Sequence, residues 1–204
     1  MKNLQAVLFP ILKDDIHLSD MCSLLVTAWE NDVCRFEAFS AIAGEAINDL
    51  LLELWEWKLI IPVRSSKCGE WDSRILLAAP GEVFEMPNIS RVLMGQAIKT
   101  GEWDSRQAIV DLFKVMGEPD WEKIPDLVLE IKNACVYHTV TGARIGAACV
   151  HNGLAGKTGA MIAILKGSGI ISPKLMALSG TATSPLYEFN PCVYAELEGM
   201  SDGF

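Results

Sequence analysis

Two stretches of this 204-residue chain carry the same succession of patterns, and that recurrence limits the available folds more than any single motif does. In the first, Met21, Leu24, Leu25, Ala28 and Trp29 recur at helical spacing behind Ser19 and Asp20, either of which suits a helix N-cap. A second helix is expected over 35–43, with Phe36, Phe39 and Ala43 on one side and Gly44 as its breaker. A third, over 45–58, lines up Ile47, Leu50, Leu51, Leu54 and Trp55. Strands are expected over 59–64 and 73–79, around a polar turn. The second stretch repeats the order. A helix over 124–138 has Pro125 at an early turn, where its missing N–H costs nothing. Thr141 caps a helix over 142–150, Asn152-Gly153-Leu154 turns the chain, and a helix follows over 155–167. Strands over 170–178 and 186–195 close the pattern. Helices over 89–99 and from Asp104 or Ser105 to 116 lie between. The hexapeptide GEWDSR occurs at 69–74 and 101–106, but at non-equivalent places, so it does not set the period. These readings describe a mostly helical α+β chain, with an N-terminal unit over 1–80, a helical connector over 81–131 and a C-terminal unit over 132–204.

Half of the residues are apolar, enough for a substantial core. The longest uncharged apolar runs, such as Leu59 to Val63, fall far short of the roughly 20 residues of a bilayer span. The first fifteen residues meet Pro10 early and show no small-residue cleavage site, so a cytoplasmic, reducing location without membrane partners is expected. The six cysteines then need not pair.

Charge is distributed unevenly. The chain sums to −9, yet 132–195 holds five basic residues (Lys132, Arg144, Lys157, Lys166, Lys174) against Glu188 alone. Residues 1–92 hold 8 basic and 14 acidic residues, and all six tryptophans precede residue 132. A cationic island in an anionic protein directs attention to what the second unit touches.

The run TGARIGAACVHNGLAGKTGAMIAILKGSGIISPK, 141–174, resembles a winged helix-turn-helix domain, and the whole chain looks like a tandem pair of them. The resemblance implies that the helix beginning near Ala155 is a recognition helix, whose first residues reach base edges in a DNA major groove. Lys157, Thr158 and Met161 would lie there, with Lys166 and Lys174 near phosphates and Thr141, Arg144 and Asn152 gripping the backbone. It implies a double-stranded DNA partner, a homodimer matching two half-sites, and a small transcriptional regulator with no catalytic residues and no cofactor. The expected wing, 179–184, is hydroxyl-rich but uncharged, unlike most wings that enter a minor groove.

Other readings compete. The acidic third helix of the first unit, with Glu45, Asp49, Glu53 and Glu56, repels phosphate, and Trp55 and Trp57 suit a core or a protein interface. A protein-interaction adaptor on tandem winged-helix scaffolds is therefore the rival, its partner reached through the acidic, tryptophan-bearing half. Gly153 to Thr158 resembles a phosphate-binding loop at Gly156-Lys157-Thr158, but His151 stands where its first glycine belongs. Cys135, His138, Cys149 and His151 are tetrahedral zinc-ligand types, though two buried thiols and two ordinary histidines account for them more simply. No nucleophile elbow or defensible carboxylate pair appears.

Overall fold

The helical period in the sequence sets where the core lies. In the computed structural model, which describes residues 2–13, 16–63, 71, 76–174 and 184–195, helix α1 (Lys2–Leu12) precedes α2 (Leu18–Glu30), which buries Met21, Cys22, Leu24, Leu25 and Ala28. Strand β1 (Val33–Arg35), α3 (Phe36–Ala43), a 3-10 turn, α4 (Ile47–Glu56), β2 (Ile61–Pro62) and β3 (Val83–Glu85) complete the first unit. Helices α5 (Asn88–Thr100) and α6 (Ser105–Val115) follow. The second unit comprises α7 (Ile124–Asn133), β4 (Thr139–Thr141), α8 (Gly142–His151), α9 (Thr158–Gly167), β5 (Ile171–Pro173) and β6 (Leu186–Phe189). The chain is thus α+β and mostly helical. Its two small antiparallel sheets have the orders β1-β3-β2 and β4-β6-β5. Each unit runs helix, strand, helix, helix, strand, strand, with the last strand in the middle of its sheet.

Several sequence expectations need correction. The order helix, helix, helix, strand, strand omitted β1 and β4, because three residues cannot display a period. They exist through distant partners, with Val33 opposite Glu85 and Thr139 opposite Glu188. The second strand expected over 73–79 is instead β3. Leu76 to Ala79 are not strand, and Ser73 to Ile75 lie outside the described residues. Phe84 carries β3 into the core against Phe39, with ring centroids 5.7 Å apart. The first unit therefore extends past residue 80 to Glu85. Helix α2 starts at Leu18 after His17 without a side-chain cap from Ser19 or Asp20, since the His17 carbonyl already accepts from Asp20 and Met21. Helix α7 ends at Asn133, not near His138, because Tyr137 and His138 adopt positive φ of 48° and 54°. Helix α9 starts at Thr158, three residues later than expected; Gly153 and Gly156, with φ of 68° and 79°, hold the preceding residues in a loop.

The units share one continuous core. A buried polar seam joins them. Ser90 Oγ donates to the Lys58 carbonyl (3.0 Å) and lies 3.3 Å from Cys192 Sγ, while Asn190 Nδ2 donates to the Gly169 carbonyl (3.0 Å). Trp103 Nε1 donates to the Cys192 carbonyl at 3.1 Å. Lys58 on the first unit meets Glu188 on the second at 3.3 Å. Among the described residues, no helix is long and apolar enough to cross a membrane.

Candidate functional site

The outer face of the second unit is built by α8, α9 and the turn before β4. Thr141 caps α8 as expected, its Oγ1 accepting from the Arg144 N–H at 3.2 Å. Ser184 Oγ accepts from the next orphan donor, Ala143 N–H, at 2.9 Å; the rest of the expected wing, 179–183, lies outside the described residues. Arg144 is exposed but folds back to the Ala134 carbonyl at 2.6 Å. Asn152 Nδ2 donates to Glu130 Oε2 (2.7 Å), and His151 Nδ1 lies 3.0 Å from the same oxygen.

Lys157 is not a free cation. Its ammonium pairs with Asp120 in the turn before α7, and Asp120 also accepts from Lys123 at 2.9 Å. These two hydrogen bonds hold the Asp120 carboxyl below its ordinary 3.8, and the same contact lifts Lys157 above 10.5. A lowered carboxyl contributes stability above its unfolded-state pKa and loses it as pH falls through the folded value; a raised lysine loses its contribution as pH rises through its own. The Asp120–Lys157 bridge is therefore expected to persist from mildly acidic to mildly alkaline solution and to open only below the ordinary carboxylate range or above that of lysine. A carboxyl-carbon NMR titration of Asp120 with a midpoint at or above 3.8 would contradict this.

The remaining expected residues separate. Met161 is buried and so cannot meet a base edge, a correction that follows from its place on the inner side of α9. Thr158 is half-buried, its side chain close to Gly146 of α8. Lys166 lies at a cleft of about 460 Å³ between the units, with Trp71, Glu85 and Ser172 also in its wall. Lys174 Nζ reaches Thr139 Oγ1 at 3.5 Å. What α9 shows to solvent is Gly159, Ala160, Ala163, Lys166 and Gly167, and α8 adds Ala143, Arg144, Ala147, Val150 and His151. The loop before α9 follows a helix rather than the strand a phosphate-binding loop requires. Cys135 donates to the Ile131 carbonyl and is raised by burial to about 11, while Cys149 is buried and His138 is exposed. No three His, Cys, Asp or Glu side chains converge among the described residues.

Sequence reasoning missed one feature. Val136 and Thr139 exchange both backbone hydrogen bonds (2.9 and 3.0 Å) across Tyr137 and His138, forming a two-residue turn with both central residues left-handed. Turns of this kind favour Asn-Gly; tyrosine and histidine there carry strain of about 1 kcal/mol or more each. Tyr137 is 94% exposed and Val136 57%. The helical spacing through residue 138 concealed them. On the first unit, Glu45, Asp49, Leu52 and Glu56 share one exposed face of the α4 region. Trp55 lies beneath the Lys58 ammonium, 4.1 Å from its ring centroid, and Trp57 is half-buried against the core.

A family model matches residues 5–199, and the match carries no activity with it. No curated protein and no solved structure matches the chain.

Proposed function

Since the chain belongs to one family over residues 5–199, both units and the helices between them included, we propose that the protein is a protein-interaction adaptor built on two winged-helix units. The shared element order and the shared sheet order of the two units support the winged-helix reading. One observation carries the adaptor reading: the helix placed to read a groove has its leading lysine engaged by Asp120 and presents Gly159, Ala160 and Ala163 outward. Reading bases needs side chains with donors and acceptors. Small side chains instead let another protein surface approach closely. The net charge of −9 further opposes a polyanion.

Duplex DNA is the second reading, favoured by the burial of Glu188 against Lys58, which removes the island's single carboxylate from its outer surface. Titration of a labelled duplex at about 50 and 200 mM salt separates the two. An adaptor shows weak binding that Lys157→Glu leaves unchanged. A transcriptional regulator making several phosphate contacts loses about a thousandfold in affinity over that interval and loses binding in Lys157→Glu. That outcome would overturn the adaptor reading.

A further inference from the structure

The strained turn at Tyr137 is flanked by two cations. Arg144 is tethered to the Ala134 carbonyl, at the foot of the turn. Lys174 reaches Thr139 Oγ1, and that hydroxyl in turn donates to the Tyr137 carbonyl at 3.2 Å. The carboxylate opposite Thr139 in the sheet, Glu188, faces Lys58 instead. The result is an exposed aromatic and a valine, held in place by the backbone and bordered by positive charge.

The complementary surface exists on the same chain. Glu45, Asp49, Leu52 and Glu56 follow one another at intervals of four, three and four residues, so they form one helical stripe. All four are exposed, and Leu52, 44% exposed, stands at the centre of the carboxylates. Glu45, Asp49 and Glu56 make no ion pair among the described residues.

We propose that the Tyr137 turn, with Arg144 and Lys174 beside it, docks the acidic α4 face of a second copy of this chain. The proposal rests on the reading that the outer face of the second unit binds protein, and it names the partner. Leu52 supplies the apolar contact for Tyr137 and Val136, and the carboxylates meet Arg144 and Lys174. Exposed aromatics with adjacent arginine are frequent anchors of interfaces. The contact joins unlike surfaces, so every copy carries one of each, and assembly can extend head to tail. Because the charges stay near solvent, association weakens as salt shortens the screening length.

Sedimentation velocity of the full chain across a concentration series at low and high salt tests this. The wild type is expected to associate reversibly at low salt and to dissociate as salt rises. Arg144→Glu and Asp49→Arg are each expected to be monomeric, and an equimolar mixture of the two to associate again, since each retains the surface the other lacks. Tyr137→Asn suits the left-handed turn better than tyrosine and keeps the fold. It is expected to lower the association constant about thirty-fold while not lowering the melting temperature. A purely structural role for Tyr137 would leave association untouched. A wild type that stays monomeric at low salt, a mixture that does not associate, or a Tyr137→Asn variant that associates like wild type overturns the proposal. The adaptor reading is judged separately, by the duplex titration.

Discussion

Truncating Glu188 to alanine is expected to cost about 3 kcal/mol or more of folding free energy, because it leaves a buried ammonium without its counter-ion. The Lys58 side chain retains only 6% of its exposure, and Glu188 retains 18%. The Trp55 ring face, 4.1 Å from the Lys58 ammonium, offsets part of the loss but cannot replace a carboxylate. Lys58→Ala is expected to cost somewhat less, since the remaining Glu188 keeps access to water. The paired change Lys58→Met with Glu188→Leu is expected to fall within about 1 kcal/mol of wild type, since a buried ion pair adds little net stability over apolar packing. Equilibrium denaturation of the four proteins measures the coupling directly. The two residues belong to different units, so a large coupling also means that the units unfold together. Single truncations costing under about 1 kcal/mol would remove the pair from any role in the joint.

What the sequence revealed follows from range. Helices long enough to repeat their apolar spacing were legible: Ile47, Leu50, Leu51 and Leu54 all reach the core, and the Asp104 and Thr141 caps form as expected. Strands β1 and β4 were not legible, because three residues carry no period and their reason for being extended lies in β3 and β6. Helix α1 was not read from the sequence, where the first fifteen residues showed only an early Pro10, although that proline sits near the helix end. The same limit governs the candidate site. Block counts located the cationic island, but a count along the chain cannot see that Asp120, 37 residues before Lys157, reaches its ammonium. Nor can it see Glu188 paired with Lys58. Local charge was visible, and the partner of each charge was not. Tyr137 was hidden for a related reason. The apolar spacing of α7 runs on through it, and only a turn disfavoured by its own residues reveals that the helix has stopped.

Gly169→Ala is expected to destabilise the protein by about 3 kcal/mol, from two sources that a control can separate. The first is backbone strain. Gly169 sits at φ 78°, where an L side chain costs about 1 kcal/mol. The second is contact across the joint. A Cβ there would lie 2.8 Å from the Pro87 Cβ and 3.5 Å from its Cα, with backbone on both sides and no flexible side chain to yield. Overpacking of this kind costs about 1–3 kcal/mol. Gly156 supplies the control, because its φ of 79° is almost the same but nothing lies within 4 Å of its Cβ position. Gly156→Ala is therefore expected to show the strain alone, and the difference between the two variants reports the closeness of the joint. The clash should also loosen what surrounds it: Ile89 N–H donates to the Ser168 carbonyl at 2.9 Å, and Asn88 Nδ2 to Gly167 at 3.0 Å. Faster amide exchange at Ile89 in Gly169→Ala, and not in Gly156→Ala, is the expected signature. Equal melting temperatures for the two variants would mean that Pro87 moves away at no cost, and that the start of α5 is held to the second unit elsewhere along the seam.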